Sequence, residues 1–185
     1  IDAPMNAYLT GRTTSINFPT MNAAQWNYGG GAFDGFAAKI SPSGASMLYA
    51  TFIGGAGDDQ GHGIAIDGAR NAFVTGSTTS ADLPTRNAFQ ATLNGPSDAF
   101  AAKLNLTGST FVYSTYLGGS GADAGHGVGV DLVGSAYVAG FTESSNFPTL
   151  APFQAAFGAV RDAFVTKLVE DNAGVDFIFA NGFED

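Results

Sequence analysis

Cysteine is absent from the 185-residue sequence, and basic residues are scarce. Without cysteine the chain has no disulfide framework, no thiol nucleophile and no cysteine-bound zinc site. Only seven Lys and Arg stand against 16 Asp and Glu, and the formal net charge of −9 excludes binding to nucleic acid through its phosphate backbone. Apolar runs stay far below the roughly 20 residues that cross a bilayer, so we expect no membrane span.

Enzyme signatures and sustained helical periods are missing as well. The sequence has no nucleophile elbow, no His-Glu-x-x-His pair and no Walker phosphate loop. Half of the acidic residues recur at equivalent places in a repeat, which is typical of a scaffold, and the others do not suggest two carboxylates facing each other across a pocket. The prediction is that the protein is not an enzyme.

Glycine and phenylalanine, in contrast, are abundant, with 26 and 16 residues, and favour short strands joined by tight turns. A repeat of about 64 residues organises them. Equivalent positions in three copies are Asp34, Asp98 and Asp162, and likewise Pro19, Pro84 and Pro148. We divide the single domain 1–185 into copies at approximately 1–62, 63–126 and 127–185.

Each copy offers four strand signals, bounded by Gly, Asn, Asp and Pro. Ile1-Asp2 align with Ile66-Asp67, so the body of the first strand is absent from copy one. The predicted strands are Ala7 to Thr10, Phe36 to Ile40 and Met47 to Ile53; Gly63 to Asp67, Ala72 to Gly76, Ala99 to Leu104 and Phe111 to Leu117; and Gly127 to Asp131, Ala136 to Gly140, Ala163 to Leu168 and Val175 to Ala180.

Four strands per unit in tandem predict an all-β, β-propeller-like fold with three four-stranded blades, the first lacking its inner strand. A three-repeat β-solenoid and a sandwich are the alternatives. Three blades do not close a ring, since propellers typically have four to eight. The blades are therefore expected to form an open arc or part of a larger ring, completed by copies of the chain or by upstream blades.

The string from Val112 to Asp123 leads through Gly125 to Asp131 into Ala136 to Gly140 and then Asn146 to Thr149. It closely resembles the SBBP repeat, a β-propeller repeat of bacterial, mostly secreted or surface proteins. The resemblance implies a propeller fold and an extracellular or cell-surface location, which the lack of cysteine also fits. It implies no catalytic set.

Two glycine-rich loops, Gly54 to Gly63 and Gly118 to Gly127, join one copy to the next. Glycine frees backbone carbonyls beside Asp58, Asp59 and Asp123, and carbonyl and carboxylate oxygens are the ligands of Ca²⁺. The loops therefore predict a calcium site. The alternative is a tight interblade turn in which the aspartates cap backbone N–H groups.

His62 and His126 occupy equivalent places, where we expect the mouth of the inner strand. Inner strands line the central channel of a propeller, so the two imidazoles are candidates to share a metal. The alternative is a repeat-encoded histidine that hydrogen-bonds to the neighbouring blade.

Asp34, Asp98 and Asp162 each precede a lysine by five residues, an odd offset that puts the two side chains on opposite faces of a strand. We expect the aspartate to cap a turn and the lysine to mark a solvated edge.

The favoured function is a non-catalytic structural or interaction scaffold that assembles through its open blade ends. A glycan-binding module is the second hypothesis, with Tyr8, Trp26 and Tyr28 as stacking rings. A polysaccharide lyase or hydrolase centred on the channel is the third.

Overall fold

The computed structural model describes residues 1–150, 152, 154, 156–158, 160–171 and 174–183, with side chains as far as Glu170. These residues form eleven strands and no helix. The strands are β1 (Ala7–Thr13), β2 (Asp34–Ile40), β3 (Met47–Ile53), β4 (Asp59–Ile66), β5 (Ala72–Thr78), β6 (Asp98–Leu104), β7 (Phe111–Leu117), β8 (Asp123–Val130), β9 (Ala136–Thr142), β10 (Asp162–Asp171) and β11 (Gly174–Phe183). In the part of the chain that is described, no helix is long and apolar enough to cross a membrane.

The strands pair as three antiparallel meanders, which confirms the predicted blades. The first blade has the order β1-β2-β3, the second β4-β5-β6-β7 and the third β8-β9-β10-β11. The inner strand β4 packs against β1 and β2 of the preceding blade, and β8 packs in the same way against β5 and β6. Because β4 also contacts β8, the inner strands of the second and third blades lie side by side.

The predicted bounds hold for β3 and β7 but not for the inner strands. Strands β4 and β8 begin at Asp59 and Asp123, four residues before the predicted start. Cross-strand pairing is the reason, since Asp59 already lies opposite Thr78 and Asp123 opposite Thr142. The prediction of a loop is therefore wrong for half of each glycine-rich segment, Asp59 to Gly63 and Asp123 to Gly127, which is strand.

Two buried layers of side chains hold the blades face to face. Residues alternate along β5, so that Phe73 joins the layer against the third blade and Val74 the layer against the first blade. Tyr113 and Phe164 fill the first of these layers, and both are at most 2% exposed. Phe100, fully buried, lies in the second.

The lysines that follow the repeat aspartates do not mark a solvated edge, and that expectation was wrong. Lys39 is 6% exposed. Its Nζ lies 3.4 Å from Asp2 Oδ2 and 4.8 Å from the centre of the Tyr8 ring. The carboxylate of Asp2 and the aromatic face of Tyr8, at the start of β1, compensate the buried ammonium group. The capping role of the aspartate is confirmed at Asp34, whose Oδ2 accepts a hydrogen bond from the Gly29 N–H at 2.6 Å.

Candidate functional site

A β-bulge displaces one histidine in each inner strand. Along β4, Gly61 lies opposite Gly76 and Gly63 opposite Thr75, which leaves His62 as the extra residue. The register of β8 shifts in the same way between Gly125 and Gly127, at His126. Bulges re-aim side chains, so both imidazoles leave the regular alternation of the strand at equivalent points. They lie within the strands and not at their mouths, contrary to the expectation from sequence.

The two bulges bring the histidines of neighbouring blades together. The ring centres of His62 and His126 are 5.4 Å apart with an angle of 73° between the planes, and Phe141 lies 5.5 Å from His126. His62 Nδ1 is 2.9 Å from the carbonyl oxygen of Gly125 in the next blade. The predicted hydrogen bond from a repeat histidine to the neighbouring blade is therefore present at His62.

The aspartates of the glycine-rich segments act as caps at the blade junctions. Asp59 Oδ2 accepts hydrogen bonds from the Gly55 N–H at 2.8 Å and the Ser80 hydroxyl at 2.7 Å. Asp123 Oδ2 makes the equivalent contacts in the next junction, with Gly119 and Ser144. Asp58 is only half-buried, and its Oδ1 accepts from the Ala32 N–H at 2.6 Å.

No three His, Asp or Glu residues within the described ranges are grouped so that they could hold a metal ion. The arrangement agrees with the interblade-turn alternative, and calcium binding at Asp58, Asp59 and Asp123 stays a prediction.

At each junction between neighbouring blades a second aspartate lies close to the capping aspartate. The sequence did not predict that these two carboxyl groups are neighbours. Asp34 and Asp59 approach Gly54 from two sides, within about 3 Å of the place a Cβ would take. Asp98 and Asp123 flank Gly118 in the same way. The only signal in the sequence was their common spacing, because the two members of a pair belong to different blades.

Burial dominates the electrostatics of these pairs. It raises the pKa values of Asp34, Asp59 and Asp123 above the ordinary range for aspartate. For Asp98, burial and the charge of Asp123 raise the pKa to about 6, against the opposing hydrogen bonds from Asn94, Gln90 and Gly95. The junction acids are therefore easier to protonate than exposed aspartates.

The three aromatic residues predicted to stack on a glycan lie in two different elements. Trp26 is 58% exposed in the β1–β2 connection, and Tyr28, in the same connection, packs edge-on against Phe52 at 5.8 Å. Tyr8 lies at the start of β1, opposite the end of β2, and donates a hydrogen bond to Asp2 Oδ2. Trp26 and Tyr28 thus lie on one connection and Tyr8 lies in a strand, and glycan stacking by these rings stays a prediction.

The face that each blade turns toward the next blade in chain order is called here the forward face. In the second blade it includes Phe73 and Ala99, which are 1% and 0% exposed beneath the third blade. In the third blade the equivalent residues are Tyr137 and Ala163. Tyr137 is 37% exposed and Ala163 is exposed. The same repeat position is therefore buried or open according to whether a further blade lies on it.

The opposite face, called here the backward face, shows the same contrast in the first blade. Val74 and Val138 occupy equivalent positions in the second and third blades and are 1% and 0% exposed. Leu9 takes this position in β1 and is 46% exposed. Strand β1 is also an edge strand, since none of the described strands pairs with its free side. Sequence reasoning predicted an open face at each end but did not identify Leu9 and Tyr137.

Antiparallel meanders packed face to face, with neighbouring inner strands, define this chain as a β-propeller-type repeat protein. Residues 48–84 and 112–148 match the SBBP family, described as a beta-propeller repeat. The chain is an SBBP-type repeat protein. Each matched stretch runs from the outer strand of one blade to just beyond the second strand of the next, so the family pattern covers a blade junction. No curated protein matches the chain.

Proposed function

We propose that this protein is a non-catalytic structural or interaction scaffold, which docks onto further propeller blades through two apolar faces. The faces are the forward face of the third blade and the backward face of the first. The blades that cover them belong to other copies of the chain or to upstream parts of the same protein.

The exposure of equivalent residues carries the proposal. Phe73 is 1% exposed and Tyr137 37% exposed, although both follow the same repeat and both are large and aromatic. On the backward face, the exposed fraction of the equivalent side chain is 1% for Val74 in the second blade and 46% for Leu9 in the first. Apolar surface of this kind marks interfaces, because its burial is favourable by about 25 cal/mol per Å².

The two open faces are complementary, and the existing junctions serve as the template. Phe73 of the second blade and Val138 of the third share one buried cluster. Tyr8 packs with Val74 in the equivalent cluster between the first and second blades. A head-to-tail contact between two chains brings Tyr137 of one chain against Leu9 of the other in the same way. Such a heterologous contact closes into a ring if the rotation allows it.

Cysteine cross-linking tests this arrangement cleanly, because the natural chain has no cysteine. In a double variant with Leu9→Cys and Tyr137→Cys, head-to-tail docking brings two thiols of different chains within bonding distance. We expect mild oxidation to give covalent dimers or larger rings that a reductant returns to single chains. The products are measured by electrophoresis without reductant and by intact mass.

The control combines Tyr137→Cys with Leu106→Cys. Leu106 is 53% exposed but lies in the turn between β6 and β7, away from both open faces. Cross-linking of the control at the same rate, or none in the first variant, would refute head-to-tail docking.

We further propose an extracellular or cell-surface location. The sequence resemblance to the repeat of secreted and surface proteins is the ground for this proposal, and the absence of cysteine fits it. Fractionation of the cells that make the native protein tests this directly, and recovery only from the cytoplasm would contradict it.

Glycan binding is the second candidate function, and the exposure of Trp26 is the observation that favours it. If it is correct, a glycan array shows specific binding that Trp26→Ala removes while Tyr8→Phe retains it. Absence of binding by the unmodified protein leaves the scaffold as the only proposal.

A further inference from the structure

We propose that His62 and His126 form a two-imidazole site for a first-row divalent transition-metal ion, namely Zn²⁺, Ni²⁺ or Cu²⁺. The site lies where the inner strands of the second and third blades run side by side. It is independent of the docking faces and of the calcium prediction.

Two β-bulges build the site. His62 and His126 are the extra residues at equivalent register shifts, each between two glycines. Close approach of the strands depends on these glycines, since a Cβ at Gly63 would lie 3.1 Å from the Cα of Gly127. The bulges thus place two exposed imidazoles from different blades next to each other.

One imidazole is already oriented as metal-bound histidines are. The carbonyl oxygen of Gly125 only accepts hydrogen bonds, so His62 Nδ1, 2.9 Å away, must donate its proton to it. In the neutral ring this leaves a lone pair on Nε2. Histidines that bind metals commonly donate the other ring N–H to a backbone carbonyl, which sets both tautomer and orientation.

The second imidazole has both nitrogens available. Neither ring nitrogen of His126 has a hydrogen-bond partner among the residues that the structure describes. The ring lies against those of His62 and Phe141. Two imidazoles joined to one tetrahedral ion by bonds of about 2.0–2.1 Å would have ring centres about 5 Å apart. The observed 5.4 Å is close to that separation.

The donor set selects the class of ion. Imidazole suits Zn²⁺, Cu²⁺ and Ni²⁺, whereas Ca²⁺ and Mg²⁺ require oxygen ligands. With two protein ligands the remaining positions are open to water, and Cu²⁺ should bind most tightly, as expected from the general order of divalent affinities.

Titration calorimetry with CuSO₄, NiCl₂ and ZnCl₂, one metal at a time, tests the site in the full chain. We expect one ion per chain and a loss of affinity of at least about tenfold in His126→Phe and in His62→Gln. His126→Phe retains a ring against His62 and Phe141, so it removes the ligand while keeping the packing. Electron paramagnetic resonance of the copper-loaded protein should show two directly bound imidazole nitrogens.

Asp82→Asn is the matched control, because it neutralises an exposed carboxylate that belongs neither to the imidazole pair nor to the predicted calcium ligands, and it should leave metal affinity unchanged. Thermal melts of every variant establish that it is folded. The proposal is overturned if no ion binds at millimolar concentration, if both histidine variants retain the affinity, or if copper shows a single imidazole.

Discussion

At the scale of single residues, the turn that leads into the second strand of each blade (β1, β5 and β9) shows how one backbone conformation accepts different side chains. Met5 and Arg70 both have φ of 67°, and the equivalent Gly134 has φ of 89°. The left-handed region is costly for residues with a Cβ and free of that cost for glycine. The third copy therefore has the favourable residue, and the other two carry local strain.

We expect Arg70→Gly to raise the free energy of unfolding by about 0.5–1 kcal/mol. This is the relief of backbone strain in the folded state less the stabilisation of the unfolded chain by the extra entropy of glycine. Chemical denaturation measures the change. Arg70→Ala is the control, since it removes the same side chain but keeps the Cβ, and it should give no gain. Equal effects of the two substitutions would mean that backbone strain is not the cause.

The junction acids predict a dependence of stability on pH. An aspartate in the unfolded chain titrates near pH 3.9, whereas the pKa of Asp98 in the folded protein is about 6. Between these values the folded state binds more protons than the unfolded state, so stability falls as the pH rises. The pKa values of Asp34, Asp59 and Asp123 are shifted in the same direction and add to this fall.

We expect Asp98 to contribute a loss of about 1–2 kcal/mol between pH 4 and pH 6, after allowance for solvent screening. Denaturation midpoints across that interval measure it. Asp98→Asn should flatten the dependence even if it lowers the stability itself. A slope of the opposite sign, or an unchanged slope in the variant, would contradict this assignment.

At the scale of elements, the inner strand is where sequence and structure differ most. Periodicity predicted β3 and β7 with their observed bounds, because alternation and aromatic content suffice for a half-buried strand. It missed the first half of β4, because Gln60 to Gly63 has the composition of a loop. The segment is a strand because it pairs with β5. The bulge and the neighbours of His62 depend on another blade and are therefore outside what local sequence predicts.

The neighbouring inner strand makes Gly76 indispensable, whereas the equivalent Gly11, which has no inner strand beside it, is replaceable. A Cβ at Gly76 would overlap the carbonyl oxygen of Gln60 in the inner strand. At Gly11 the nearest atom is Phe36 Cε1 at 3.0 Å, the edge of a ring that can shift. We expect Gly76→Ala to cost about 3 kcal/mol and Gly11→Ala less than about 1 kcal/mol, as measured by denaturation. Similar losses at both positions would show that the inner strand is not the reason.

At the scale of the whole molecule, the repeat explains both what is buried and what is open. The 64-residue spacing and the four strand signals per copy predicted three blades. The two uncovered faces were predicted because three blades do not close a ring. The sequence did not predict that Tyr137 and Leu9 would stand at those faces, because burial is decided by the neighbouring blade and not by the residue type. Two chains would supply six blades, within the usual range of four to eight for a closed propeller.

Sedimentation equilibrium of the unmodified chain, from low to high micromolar concentration, tests the central claim most directly. With no other blades in the sample, the account predicts that the 185-residue chain associates with itself and has a mass that is a small multiple of 18.8 kDa. It also predicts that Tyr137→Glu shifts the equilibrium toward single chains while Leu106→Glu does not. A stable, monodisperse species of 18.8 kDa at every concentration, with no ordered partner, would contradict it.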